Sequence, residues 1–242
     1  MELTSNFKRT LLGLAAITLI GVLIITQGVA HASNGDKSSQ TLASVQSKGN
    51  AAIGQRLTTL NNLATKVNSS TTLSASDKSY LSNEISTEIA GLTALKSTLA
   101  ADTTVTEANT DYGNIFSDYR VYALVAPKVA VVSTVDVLQS KLNTLNTTAQ
   151  TLQTTITAKQ AAGKDVTNAQ AALNTMTSAI ASAQSQLTSI DSKVLPLQPS
   201  DWNANHQLLS GYKAQLNTLT NNLKTISSEA KSTASSIKDL KS

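Results

Sequence analysis

Cysteine is missing from all 242 residues, which excludes disulfides, thiolate metal ligands and cysteine nucleophiles. Histidine is nearly missing too. The chain has His31 and His206, and one histidine outside the leader makes no ordinary zinc or copper site. Three prolines and ten glycines are too few for the repeated turns of an all-β protein, and 3% aromatic content is thin for a broad sheet core. Charged residues make up 14%, with Arg56 and Arg120 as the arginines beyond the leader. Scattered lysines with so little arginine do not form the basic stripe of a nucleic-acid binder, and the net charge of +4 reads as a solubility feature. Neither a G-x-S-x-G elbow nor a glycine-rich phosphate loop occurs. No catalytic residue, metal site or cofactor is expected, and the chain reads as not an enzyme.

What is present begins with a leader. Lys8 and Arg9 form a short basic region, and Leu11 to Ile25 is an apolar run interrupted by Thr18. Gly28-Val29-Ala30-His31-Ala32 then sets Ala30 and Ala32 at the two positions a signal peptidase reads, so residues 1–32 read as a signal peptide cut before Ser33. The alternative is an uncleaved anchor over residues 11–30, about the length that spans a bilayer. Both readings export the remainder, as a secreted or cell-surface protein. Residues 33–39 are Gly, Ser, Asn, Asp and Lys and form a link.

Beyond the link the apolar residues recur at helical spacing. A first helix is predicted from Gln40 to Asn68, with Gly49 and Gly54 weakening its first half. Ser74, three residues before Asp77, caps a second helix through Leu81, Ile85, Ile89, Leu92, Leu95 and Leu99. Thr104 and Glu107 make a capping box for a third, which enters an aromatic stretch through Val105, Tyr112, Phe116 and Tyr119. After Pro127 a stripe runs from Val131 through Leu138, Leu145 and Leu152 to Ile156. Gly163 stops that helix and Asp165 caps the next, whose stripe runs from Val166 to Val194. Pro196 and Pro199 turn the chain into a last helix, capped by Ser200 or Asp201, with its stripe from Leu209 to Leu240.

These patterns predict an all-α protein of long antiparallel helices in coiled-coil-like packing. The preferred arrangement is two tandem three-helix bundles, an N-terminal bundle over 40–126 and a C-terminal three-helix bundle over 127–242. They would share one helix from Thr104 to Ala162, about 90 Å long, kinked at Pro127. The alternative is a single bundle of five or six helices.

Tyr112 to Val137 stands apart from the polar helices around it. Tyr119, Arg120, Tyr122, Pro127 and Lys128 are its candidate interaction or joint residues, forming either core at a joint or an exposed contact surface. Arg56 and Glu88 fall near seam positions, where a partly buried pair would set register. Glu107, Asp111 and Asp118 share a face of the third helix, as a solvated acidic face or as paired carboxylates for calcium or acid–base work. The segment Asp118-Tyr119-Arg120-Val121-Tyr122-Ala123-Leu124-Val125-Ala126-Pro127-Lys128 resembles one found in uncharacterised exported bacterial helical proteins. That resemblance implies a surface or envelope location and brings no activity with it.

The function these features imply is that of an exported non-enzymatic helical-bundle protein of the cell envelope, acting as scaffold, spacer or interaction module. Its expected partner is a protein or envelope component, with no nucleic acid and with membrane contact through the leader. Two alternatives remain open at this point: a membrane-active helical protein that uses 121–137 as an apolar tongue, and an extracellular ligand-binding bundle. Heptad seams close equally well within one chain or between chains, so oligomeric state stays open.

Overall fold

The computed structural model describes residues 40–240, and the leader with Ala30 and Ala32, together with the 33–39 link, lies outside the described residues. Among the described residues every regular element is helical, as the sequence predicts. In chain order these are α1 (Leu42–Ser69), α2 (Ala75–Ala101), α3 (Val105–Ser117), a π-helical turn (Val121–Val125), α4 (Ala126–Ala161), α5 (Thr167–Val194), α6 (Pro199–Ala204) and α7 (Ser210–Asp239). The chain divides into two compact units.

The N-terminal unit holds the described residues up to Ser133 together with Val194–Ser210. Its helices start where short polar side chains satisfy the free N–H groups of a first turn. Thr41 Oγ1 accepts from Ser44 N at 3.3 Å, and Ser74 Oγ accepts from Asp77 N at 3.1 Å. At α3 the capping box of Thr104 and Glu107 is complete. α1 runs unbroken through Gly49 and Gly54 and lies antiparallel to α2. The amide of Gln46, near the start of α1, reaches the Leu99 carbonyl near the end of α2. At the other end Ser82 donates to the Asn68 side chain. Val45, Ile53, Leu60, Val67, Leu81, Ile85, Leu92 and Leu99 fill the seam, each buried.

The C-terminal unit is formed by residues 134–193 and the chain from Gly211 onward. Every residue of the two stripes predicted for α4 and α5, from Val131 to Ile156 and from Val166 to Val194, is buried. Gln139 pairs with Gln184 through reciprocal amide bonds of 2.5 and 2.6 Å, and Gln153 pairs with Gln170. Positions that rise along α4 meet positions that fall along α5, so the two are antiparallel. The turn between them is set by Gly163, whose φ of 75° suits a residue without a Cβ. Its N–H and that of Lys164 return to the carbonyls of Gln160 and Lys159, closing the helix end. α7 buries Leu216, Leu219, Leu223, Ile226, Ala230, Thr233 and Ile237, and Lys159 of α4 donates to the carbonyl of Leu240 at 2.7 Å.

Three features depart from the sequence expectation. A helix continuous from Thr104 to Ala162 is not formed: α3 ends at Ser117, and Asp118 to Arg120 are not helical. Pro127 sits in the first turn of α4, where a missing N–H is tolerated, and the turn before it is widened, with Ala126 N–H reaching back five residues to Val121. A proline ring crowds the carbonyl four residues back, here Ala123, and a π turn at that residue relieves the crowding. The unit boundary lies at Ser133 rather than before Pro127, because residues 127–133 pack with the N-terminal unit. Residues 194–210 join that unit as well, instead of simply leading into the last helix. Their short helix α6 comes before a turn containing the exposed His206, and α7 begins at Ser210.

Candidate functional site

The aromatic stretch separates into a buried anchor and a partly exposed face. Lys128 is the anchor. It lies in the first turn of α4 among Leu124, Val125, Val129 and Val132, all buried, and none of its own side chain is exposed. A buried ammonium needs charge and hydrogen-bond partners, because transfer out of water is otherwise prohibitive. Lys128 Nζ donates to Glu84 Oε1 of α2 and to the carbonyl of Leu197, both at 2.6 Å. Three stretches of chain thus converge on one nitrogen.

Glu88 lies one helical turn beyond Glu84. Burial pushes its carboxyl up to about 7, the neighbouring Glu84 charge adds to the rise, and Lys128 opposes it. Burial also raises Glu84, against the opposing hydrogen bond and charge of Lys128. One oxygen of each carboxyl is buried with no hydrogen-bond partner. Tyr119 stands beside Glu88, with its phenol raised by burial and then by the Glu88 and Asp118 charges. The Tyr119 ring packs over Gly91 so closely that a Cβ there would lie 2.6 Å from Cε1.

The face is built around Arg56 of α1. Its guanidinium lies 4.5 Å from the centre of the Phe116 ring and 5.2 Å from that of Tyr122, and it donates to the Ala52 carbonyl. Arg56 is 8% exposed, whereas Phe116 and Tyr122 keep 37% and 39% of their surface in solvent. Burial lowers the Arg56 pKa from its ordinary value, and the guanidinium stays charged. Tyr112 packs edge-on against Phe116, with ring centres 5.2 Å apart. Nearby, the break after α3 is tied to α6. Arg120 Nε donates to Asn203 Oδ1 at 2.6 Å, Asn203 Nδ2 donates to the Ser117 carbonyl, and the Arg120 guanidinium covers the Trp202 ring at 4.7 Å.

Of the five residues singled out in the sequence, Lys128 is thus buried, Tyr122 is exposed, and Tyr119, Arg120 and Pro127 are half-buried. The predicted Arg56–Glu88 pair is not formed; Arg56 turns to aromatic rings and Glu88 to the Lys128 cluster. The core face of α3 is Ala108 and Ile115 rather than Val105, Tyr112 and Phe116. Glu107 is occupied by the cap of its own helix. The apolar run at 121–137 has the composition of a membrane-crossing segment, yet Val121, Leu124, Val125, Val129, Val131, Val132 and Val135 are all buried within the fold.

Sequence reasoning missed Glu84, Asn203 and Trp202. A signal for Glu84 exists: a lysine set among valines needs a carboxylate, and Glu84 and Glu88 are spaced by one turn beside the Leu81–Ile85 stripe. For Asn203 and Trp202 no local pattern foretells contact with Arg120, which lies 83 positions before Asn203. No protein-family model matches the chain, and no curated protein or solved structure matches it.

Proposed function

We propose that the chain is an exported, non-enzymatic helical-bundle protein of the cell envelope that works as an interaction module, scaffold or spacer. The observation that carries this reading is the Arg56–Phe116–Tyr122 cluster, in which two solvent-facing rings are held by a guanidinium that is itself buried. Aromatic side chains fixed before a partner arrives give up little rotamer freedom on binding, and Tyr and Arg are favoured at the energetic centres of interfaces. The leader supports export. The likeness of residues 118–128 to exported bacterial helical proteins points the same way. The partner is a protein or envelope component, and the sparse arginine content argues against nucleic acid.

The test is to express the full chain in cells, assay its exposure to added protease, and recover crosslinked partners with wild type and with a Phe116→Ala/Tyr122→Ala variant. Surface-accessible protein with a partner lost in the double variant, at unchanged helicity, supports the reading. Retention in the cytoplasm, or full partner recovery by the variant, overturns it.

A further inference from the structure

Both arginines beyond the leader lie against aromatic rings of the N-terminal unit. Arg56 packs against Phe116 and Tyr122, and Arg120, two residues before Tyr122, covers Trp202. Asn203 fixes Arg120 in place. Its Oδ1 accepts from Arg120 Nε at 2.6 Å, and its Nδ2 donates at 3.1 Å to the carbonyl of Ser117, the residue next to Phe116. With Nε taken, the guanidinium keeps its two terminal nitrogens, Nη1 and Nη2, and their N–H groups meet no acceptor among the described residues. The carboxylates nearest in sequence to this cluster are committed elsewhere. Asp118 Oδ1 accepts from the Ser117 hydroxyl at 2.6 Å, and Asp201 Oδ2 accepts from Gln198 N at 2.8 Å in the cap of α6. Among the described residues neither Arg120 nor Arg56 forms an ion pair. A half-buried guanidinium therefore keeps an open fork, close in the chain to two rings that each leave over a third of their surface in solvent.

We propose that the partner of this face is a protein presenting an acidic peptide segment, with one Asp or Glu carboxylate seated end-on against Nη1 and Nη2 of Arg120 and a neighbouring apolar side chain against Phe116 and Tyr122. This deepens the interaction-module reading and rests on it. A planar fork of two N–H donors matches the two oxygens of a carboxylate, and such paired, charge-assisted bonds are the strong ones. Asn203 holds the fork before the partner arrives, so little side-chain freedom is lost on binding. A phosphate polymer or an anionic membrane surface offers the same sign of charge, but each is held by a run of cations. Here there are two, and Arg56 is 8% exposed. A peptide supplies one carboxylate and an apolar side chain in consecutive residues, which is what the fork and the rings together accept.

The experiment selects a displayed library of random peptides on the immobilised full chain, then titrates an enriched peptide against the emission of Trp202, the chain's one tryptophan. Enriched sequences are expected to carry Asp or Glu beside Leu, Ile, Phe or Tyr. Replacing that acid in the peptide by its amide is expected to weaken binding about tenfold or more, the worth of a charge-assisted pair. Arg120→Gln, at unchanged helicity, is expected to weaken it as much. The amide peptide tests the contact with the protein unaltered, so the result is readable even where Arg120→Gln folds poorly. No enrichment, a pool without acids, or an amide peptide that binds as well as the acid overturns the proposal. So does tighter binding of sodium polyphosphate or of phosphatidylglycerol vesicles in the same titration. Where crosslinking in cells still yields a partner that Phe116→Ala/Tyr122→Ala loses, the interaction reading stands and this inference alone fails. Failure of both experiments sinks that reading as well.

Discussion

Lys128 and Glu84 meet at 2.6 Å across 44 positions of sequence, and none of the lysine side chain is exposed. The pair joins the first turn of α4 to the middle of α2, and through the Leu197 carbonyl it adds the 194–210 segment. The most unusual residue of the aromatic stretch is therefore a structural anchor. The solvent-facing part of the stretch is instead the Phe116 and Tyr122 rings above Arg56, on which the proposed partner contact rests.

Removing one member of a buried pair leaves the other uncompensated, which costs about 3–5 kcal/mol. Lys128→Met is expected to lose stability on that scale in urea denaturation, more at high pH than at low, because burial raises the Glu84 carboxyl and acid lets it escape as the neutral form. Lys128→Met combined with Glu84→Leu is expected to recover most of the loss, because an apolar pair of similar volume removes the buried charge. Equal stability of Lys128→Met and wild type at pH 8 would contradict the anchor.

The pH dependence has a definite sign. Glu88 holds its proton up to about 7 in the folded state, against the 4.5 of an unperturbed glutamate. The folded state therefore binds a proton that the unfolded chain releases. The corresponding stability is complete below pH 4.5 and is lost as pH rises through 7. Glu88→Gln is expected to flatten this slope and to gain about 1–2 kcal/mol over wild type at pH 8, a figure reduced for the screening of a partly exposed group. Unfolding curves at pH 5, 6, 7 and 8 read it directly, and a variant curve parallel to wild type would refute it.

Two helical glycines make opposite predictions. A Cβ at Gly91 would lie 2.6 Å from Tyr119 Cε1 and 2.8 Å from its hydroxyl, so Gly91→Ala displaces the ring and costs about 1–3 kcal/mol. Gly54 has open space within 4 Å of its Cβ position, and Gly54→Ala is expected to stabilise by about 0.4–1 kcal/mol. Chemical denaturation of both variants checks the pair, and destabilisation by both alike would contradict the packing of Tyr119 described above.

The elements that were legible in the sequence are those whose causes are local. Ser74, Thr104 with Glu107, and Gly163 act on N–H and C=O groups within a few residues, so their spacing alone reveals them. The α4 and α5 stripes repeat over about seven and about eight turns, and every predicted position is buried. The break at Asp118 to Arg120 was not legible, because Pro127 is the visible interruption and the chain responds ahead of it with a π turn. Glu84 was legible only through its partner, since glutamates on a helix ordinarily face solvent and the one signal is the lysine set among valines. Its burial follows from Lys128, 44 residues away. Phe116 and Tyr122 misled in the other direction. Aromatics at helical spacing suggest core, and here Ala108 and Ile115 fill the core while the rings cover Arg56.

The central claim is that the Phe116–Tyr122 face of the N-terminal unit is where the protein meets its partner. The most direct measurement is site-specific photo-crosslinking in intact cells, with a benzoyl-phenylalanine probe at Tyr122 and a control probe at Thr175, an exposed position on α5. A discrete crosslinked product at Tyr122 that is absent at Thr175 and disappears with Phe116→Ala is the predicted result. No product at Tyr122, or the same products from both positions, would contradict the claim.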